Sequence, residues 1–372
     1  MSLDLSSSTD QINCSFVSEK ASKIRFIHEK YKQSDRFVTG SWGSDTNAVT
    51  LWKLVKEDLS NEESELDYTP KSISKIPIDG DVTGLELFNS ESIVCSTSAP
   101  NTQLLLISLN DNMTHEDITV KHKVENLHKF KTNVPAVCTG ISIHETNIAT
   151  VGEDGSLNVL SSQGRVVKSF QHVDSCAIFS VAFVNHNEIL TGNRIGIINM
   201  FDVRNNENKS SAKLVISTED DKRSNCVTTI AYHPNQKHVV LCGSEEGTLT
   251  TWDLRQPTFP ASYYTVHEKS SVTDINFHRS DPTKLFTASE SGELFQWSHK
   301  AQQITERIDG QLTITENENV NPWLCGQRTK SRINLIRHLE GIGKTINSFD
   351  TSGSRLICGC DNEAIYLIDN KS

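Results

Sequence analysis

The sequence contains no apolar run that approaches about eighteen residues, so it predicts no membrane-spanning helix and no membrane insertion. The first ten residues, MSLDLSSSTD, carry an acid and no basic region, which argues against a secretory signal. Positive charge is scarce as well, because 36 Lys and Arg stand against 47 Asp and Glu, for a formal net charge of −11. Since nucleic-acid-binding proteins usually show the opposite balance, we expect no direct contact with nucleic acid.

Catalytic and metal-binding motifs are also missing from the sequence. It has no GxSxG, Walker A, HExxH or GxGxxG pattern. The nine cysteines include no CxxC pair, and Cys358 and Cys360 are separated by one residue within a strand-like alternation. That pattern indicates buried apolar side chains in a reducing compartment rather than zinc ligands. We therefore predict a protein that is not an enzyme and that uses no cofactor, metal or small-molecule substrate.

What the sequence does contain is a repeated unit, clearest in residues 226–255 and 271–299. Each copy opens with alternating apolar residues, passes through a turn rich in His, Pro, Asn and Asp, and continues into a second apolar run. A tight turn with glycine follows, and a third run ends at Trp252 or Trp297. Alternation with a period of two predicts strands, and turns that require glycine predict hairpins. Together with the Trp252-Asp253 dipeptide, this is the WD40 pattern, in which one repeat forms one propeller blade.

Degenerate copies of this unit predict an all-β fold, a seven-bladed WD40 β-propeller. The blades are expected at about residues 23–78, 81–124, 137–170, 178–217, 226–265, 271–339 and 345–369. The last blade has three predicted strands, and residues 14–19 are its predicted fourth, so that the two ends of the sequence close the ring. We assign residues 13–372 to this single propeller domain. The polar, Ser-rich residues 1–12 are predicted to be a disordered tail.

Two features of the sequence suggest partner contacts. The run WDLR, which includes Asp253 and Arg255, matches the WDxR box of substrate receptors of cullin-4 ubiquitin ligases, although the same residues also cap ordinary blades. The longest insertion, residues 300–331, contains Trp323. Trp323 is either an anchor at an interface, where tryptophan is enriched, or a core residue beneath blade six, and the core role is favoured.

Two further groups of polar residues are candidates for a specific role, one inside the repeats and one between them. WD40 repeats use a His before the first strand and an acid in the last turn to order each blade, and His267, Asp154 and Glu246 lie near those positions. The segment 121–131 is locally basic and could touch nucleic acid or an acidic partner. We favour a third role for this segment, that of a solvated loop between blades two and three.

Several stretches are more specific than the repeat pattern, and they resemble the WD40-repeat nucleoporins of the Y-shaped outer-ring complex of the nuclear pore. These stretches are residues 16–26, 37–52, 150–159, 233–240, 251–262, 266–297 and 346–367. The resemblance implies a scaffold subunit for pore assembly and nucleocytoplasmic transport, located at the nuclear envelope. It implies as partners the helical nucleoporin eighty-five and a propeller of the Seh type, and a visit to kinetochores in mitosis. The alternative function is a cullin-4 substrate receptor that uses the WDxR box.

Overall fold

The computed structural model of the protein describes residues 4–8, 10–29, 33–56, 68–100, 102–112, 115–205, 207–216, 225–299, 303–308, 311–316, 322–324 and 333–369. These residues form 31 strands and one 3-10 helix. Helical structure in the described ranges never reaches the length and hydropathy of a membrane span.

The strands form eight sheets, of which seven are the blades of a β-propeller and the eighth is a two-stranded sheet in an insertion. Blade one contains β3 (Ala21–Phe26), β4 (Arg36–Ser41), β5 (Asn47–Lys56) and β6 (Tyr68–Ile78). Blade two contains β7 (Val82–Asn89), β8 (Ser92–Thr97), β9 (Gln103–Asn112) and β10 (His115–Glu125). Blade three contains β11 (Cys138–His144), β12 (Asn147–Gly152), β13 (Leu157–Ser161) and β14 (Val166–Phe170). Blade four contains β15 (Ile178–Phe183), β16 (Glu188–Asn193), β17 (Ile197–Asp202) and β18 (Ala212–Val215).

The remaining three blades also have at least four strands, and blades six and seven each include one strand from the N-terminal residues. Blade five contains β19 (Val227–His233), β20 (Gln236–Ser244), β21 (Thr248–Asp253) and β22 (Ser262–Thr265). Blade six contains β23 (Val272–Phe277), β24 (Lys284–Ser289), β25 (Leu294–His299), β28 (Ile333–Leu339) and β1 (Asp4–Ser7). Blade seven contains β29 (Ile346–Ser352), β30 (Arg355–Cys360), β31 (Ala364–Asp369) and β2 (Gln11–Phe16). The predicted seven-bladed propeller is confirmed.

The glycine turns predicted in blades five and six are confirmed by the backbone. Gly247 and Gly292 have φ angles of 80° and 83°, a left-handed conformation that side chains other than glycine rarely adopt. Each turn joins the second strand of its blade to the third. The requirement for glycine at both positions explains why the two repeats align so clearly in the sequence.

The hydrophobic core is divided among the interfaces between neighbouring blades. Seven clusters of buried apolar side chains each join two adjacent blades, and the cluster between blades seven and one completes the circle. Burial of apolar surface is the dominant favourable term in folding. Since every blade takes part in two clusters, the ring is stabilised as a whole.

The ring closes in blade seven through β2, which pairs antiparallel with β31. The sequence predicts this closing strand at residues 14–19, whereas the structure places it three residues earlier, at Gln11–Phe16. The reason is the turn into blade one, because Ser18 has a φ of 59° and no longer continues an extended strand.

The predicted disordered tail at residues 1–12 needs correction, because part of it forms β1. This strand pairs in parallel with β28, the outer strand of blade six, and the Ser8 amide donates to the Arg337 carbonyl at 2.9 Å. The polar composition of these residues did not predict a strand, because β1 is held by backbone hydrogen bonds to the edge of β28, and these do not depend on its side chains. The two strands Asp4–Ser7 and Gln11–Phe16 thus lie along two blades, six and seven.

The insertion after β25 contains structure that its sequence did not predict. Its backbone forms a two-stranded antiparallel sheet of β26 (Gln303–Ile308) and β27 (Gln311–Glu316), and a 3-10 helix follows at Pro322–Leu324. Residues 57–67, between β5 and β6, are rich in acids, and this composition predicts a solvated loop. They lie outside the described residues.

Candidate protein-interaction surface

The predicted pair Asp253 and Arg255 lies at the end of β21, where the chain turns toward β22. The Arg255 guanidinium donates two hydrogen bonds to the Asp253 carboxylate, from Nε to Oδ1 at 2.9 Å and from Nη2 to Oδ2 at 2.6 Å. The Arg255 amide donates to the same carboxylate at 3.0 Å. These hydrogen bonds from Arg255 hold the pKa of Asp253 below its usual range. The pair is therefore neutral overall, with the guanidinium exposed at the rim.

The same arrangement recurs one blade earlier, in a sequence that lacks the tryptophan. Arg204 binds Asp202 through the same atoms at 2.9 and 2.6 Å, and it lowers the pKa of Asp202 to about 2. The Asp-x-Arg geometry is therefore a property of this turn in two neighbouring blades. Contact of Asp253 and Arg255 with a cullin-4 adaptor stays a prediction.

Trp323 lies in the 3-10 helix and packs under blades five and six. Its side chain is only 3% exposed and meets the Phe277 ring edge to face, with the ring centroids 5.4 Å apart. It belongs to the apolar cluster that joins the two blades, and Leu324 packs against that cluster beside it. This is the geometry of a core side chain. The use of Trp323 by a partner also stays a prediction.

The ordering network of blade six is built around His267, which is fully buried. His267 Nδ1 lies 2.9 Å from Glu293 Oε2, and His267 Nε2 lies 3.2 Å from Thr287 Oγ1. The Trp297 indole donates to the same Thr287 hydroxyl at 3.0 Å. Burial lowers the pKa of His267 although Glu293 opposes this shift, so the imidazole is neutral.

Blade three contains the corresponding network without a tryptophan. His128 Nδ1 lies 3.0 Å from Asp154 Oδ1, and His128 Nε2 lies 3.0 Å from Thr150 Oγ1. Burial opposes the charged imidazole, but the hydrogen bond with Asp154 and the neighbouring Cys138 thiol raise the pKa of His128 to about 9. The expectation from sequence identified His267 and Asp154 and missed His128.

Glu246, the third residue expected near these positions, lies in blade five, and its side chain is exposed, unlike the buried Asp154 of blade three. A role of Glu246 in ordering blade five stays a prediction. Glu246 stands one residue before the turn glycine, whereas the acid that binds His267 is Glu293, the residue directly after Gly292. Asp154 lies directly before its turn glycine as Glu246 does, so position relative to the glycine does not identify the network acid, and sequence reasoning missed Glu293.

A buried group of charged side chains lines the inner wall where the ring closes. Arg25 of blade one lies 2.7 Å from Glu86 of blade two and 3.7 Å from Asp274 of blade six. Asp350 of blade seven lies 3.7 Å from Arg279. Burial disfavours ionised Asp350, yet Arg279 and His28 keep the pKa of this carboxyl well below its usual range. Sequence reasoning missed this group. The sequence feature that could have revealed it is the presence of charged residues in the otherwise apolar first strand of each of these blades.

The first strands of the blades surround a central cavity of about 400 Å³. The described residues bring together no three His, Cys, Asp or Glu side chains that could hold a metal. One combination of nucleophile, base and acid does occur, in Cys138, His128 and Asp154, but all three side chains are buried. A substrate could not reach the Cys138 sulfur there, so this group serves the packing of blade three.

Comparison with known proteins agrees with the propeller and extends it to a family. Residues 111–324 match the β-propeller family model described as nucleolar protein 10-like, N-terminal domain. The chain is 31% identical to human nucleoporin Nup43 and 30% identical to the mouse protein, in each case over 96% of this chain and 98% of the relative. It is 26% identical to nuclear pore complex protein nup43 of Dictyostelium discoideum, over 61% of this chain and 52% of that protein.

The two Nup43 relationships cover 96% of the chain, and the family model covers its middle part. The chain therefore carries a β-propeller of the nucleolar protein 10-like family and belongs to the Nup43 family of nucleoporins.

Proposed function

We propose that the protein is a non-enzymatic scaffold subunit of the nuclear pore complex. The observation that carries the proposal is the similarity to the two Nup43 proteins over 96% of the chain, together with a propeller whose seven blades all come from this chain. A scaffold needs a stable body that presents fixed surfaces to several partners. The seven inter-blade clusters provide such a body.

Within that role we propose membership of the Y-shaped outer-ring complex, with nucleoporin eighty-five and a Seh-type propeller as neighbours. Each of the seven blade sheets already holds at least four strands, all from this chain. A partner therefore does not need to supply a blade, and the rim and the loops are the surfaces it can bind. Such a position would give the protein a part in pore assembly and in transport through the pore. A kinetochore location in mitosis is a separate part of the proposal.

Purification of the tagged, full-length protein from interphase nuclei tests the proposal. We expect outer-ring nucleoporins, including nucleoporin eighty-five and the Seh-type propeller, in stoichiometric amounts. Recovery of the cullin-4 adaptor in their place would overturn the proposal and favour the substrate-receptor alternative. The variant Arg255→Ala should then abolish adaptor recovery, and Arg204→Ala, which removes the same interaction one blade away, is the matched control. Imaging of the tagged protein in mitotic cells tests the kinetochore location.

A further inference from the structure

A short basic hairpin, residues 128–136, stands out between blades two and three. Three backbone hydrogen bonds close it: Ala136 to the His128 carbonyl at 3.0 Å, Phe130 to the Val134 carbonyl at 3.0 Å, and Asn133 to the Phe130 carbonyl at 2.8 Å. Asn133 takes the left-handed conformation, with a φ of 63°, that such a tight turn requires. The backbone of the hairpin is therefore fixed.

The hairpin is also attached firmly to blade three. His128, at its base, is buried between Asp154 and Thr150, and the Lys129 amide donates to Asp154 Oδ2 at 3.1 Å. The His128 network described above thus holds a surface feature in place as well as ordering its blade. A fixed hairpin loses little conformational entropy when a partner binds it.

The tip of the hairpin exposes apolar and positively charged side chains together. Phe130 is 37% exposed and Val134 is 55% exposed, and Lys129 and Lys131 beside them are exposed as well. Within the described part of the chain, neither lysine has an acid at ion-pair distance. The hairpin itself contains no acid, in a chain whose net charge is −11. Exposed apolar side chains ringed by unpaired charge are typical of a binding surface.

We propose that the 128–136 hairpin is a docking surface for an acidic segment of a protein partner. Phe130 and Val134 would receive an apolar side chain of that segment, and Lys129 and Lys131 would pair with its carboxylates. Complementary charge gives such a contact its specificity and its rate of association. That the partner is a nucleoporin rests on the proposed function, whereas the docking itself rests on the hairpin.

Two features favour an acidic protein over nucleic acid or an anionic membrane. The charge of the whole chain would repel a polyanion that extends beyond the few lysines of the hairpin. A protein segment can be short, and it can fill the apolar tip at the same time as it pairs with the lysines. The crosslinking experiment below would also detect nucleic acid or lipid bound at the hairpin.

The test places a photo-crosslinking amino acid at position 130 of the full-length protein in cells. Position 259, an exposed phenylalanine in the loop of blade five, is the matched control. We expect position 130 to crosslink to a protein segment that contains several acids and an apolar residue, as mapped by mass spectrometry, and position 259 not to crosslink to that segment. The double variant K129E/K131E should lower the yield about tenfold, because like charges then face each other. The double variant K213E/K237E, an equal charge change at exposed lysines of blades four and five, should leave the yield unchanged.

Melting temperatures of the variants show that each is folded, and K129A/K131A replaces the charge reversal if that variant does not fold. Crosslinks to nucleic acid or lipid, to a neutral or basic segment, or to nothing would overturn the proposal. Equal yields from the two double variants would also overturn it. An acidic segment that belongs to a protein other than a nucleoporin would support the docking surface and contradict the proposed pore function, so the two proposals fail separately.

Discussion

Blades three and six contain the same buried network, a histidine between an acid and a threonine, yet the two histidines differ in charge. The pKa of His128 in blade three is raised to about 9, whereas that of His267 in blade six is lowered. The acids differ in environment, because the side chain of Asp154 is 1% exposed and that of Glu293 is 26% exposed. A buried carboxylate interacts more strongly with an imidazolium than one that is partly screened by water.

The neighbour of the threonine reinforces this difference. In blade six the Trp297 indole donates to Thr287, which leaves the Thr287 hydroxyl proton free to donate to a neutral His267. In blade three Leu160 takes the tryptophan position, so the Thr150 hydroxyl can accept a hydrogen bond from a charged His128. One replacement in the third strand therefore changes which protonation state the network accommodates. The network of blade three therefore contains a charged His128 paired with Asp154, whereas the network of blade six contains a neutral His267.

The largest expected effect comes from removal of the two histidines. His128→Ala leaves the buried Asp154 carboxylate without its charged partner and should cost about 3–5 kcal/mol of unfolding free energy. His267→Ala leaves Glu293, which water can still reach, and should cost about 2 kcal/mol. Urea denaturation of both variants measures the difference. Equal losses would contradict the assigned charge difference.

Blade six is packed on one side by Trp323, and removal of this side chain should have the next largest effect on stability. Trp323→Ala opens a cavity against Phe277 and should destabilise the protein by about 3 kcal/mol. Phe259→Ala removes an exposed ring and should cost no more than about 0.5 kcal/mol. Unchanged stability of the Trp323 variant, together with loss of the co-purified nucleoporins, would instead make Trp323 a partner contact.

The charge difference predicts opposite pH dependences for the two blades. A raised histidine pKa gives stability that is present below the ordinary value of 6.5 and is lost as pH rises through about 9, about 3 kcal/mol for His128. A lowered pKa has the reverse sign, so stability from neutral His267 is lost as pH falls below 6.5. Denaturation from pH 5 to 10 should show the alkaline loss in the wild type and not in His128→Ala. An alkaline loss of the same size in that variant would assign it to other groups.

The sequence was sufficient for the propeller and insufficient for these networks. Period-two alternation and the turn glycines describe local backbone geometry, which is why Gly247 and Gly292 located their hairpins correctly. The partner of His267 lies 26 residues away, across a strand pairing, and only the fold brings Glu293 to it. The same limit explains β1, because its pairing with β28 joins residues more than 300 positions apart.

The threonines offer a finer test of the comparison. Thr287 serves both His267 and Trp297, so Thr287→Val leaves two buried groups without a partner and should cost about 2 kcal/mol. Thr150→Val leaves one group without a partner, the charged His128 Nε2, and should cost about 1.5–3 kcal/mol because hydrogen bonds to charged groups are stronger. Nuclear magnetic resonance titration adds a second measurement, since Trp297→Phe should raise the pKa of His267. A pKa of His267 that does not move in that variant would show that the indole does not influence the histidine.

The smallest expected effect is a gain in stability. It comes from giving Trp252 of blade five the threonine partner that Trp297 has in blade six. Trp252 is buried like Trp297, but its indole nitrogen has no hydrogen-bond partner among the described residues. The residue two positions after its cross-strand neighbour is Cys242, where blades one and six have Thr39 and Thr287, both bonded to a tryptophan. Burial raises the pKa of the Cys242 thiol, so the side chain is a neutral thiol and a weak acceptor.

Cys242→Thr should therefore give the Trp252 indole an acceptor and stabilise the protein by about 1 kcal/mol. Cys242→Val, which has the same branched shape without the hydroxyl, is the control and should not stabilise. The difference in unfolding free energy between the two variants isolates the new hydrogen bond, because both place an additional branch in the same buried space. If threonine proves no better than valine, the backbone of blade five must hold position 242 too far from the indole, and the two repeats would differ in geometry as well as in sequence.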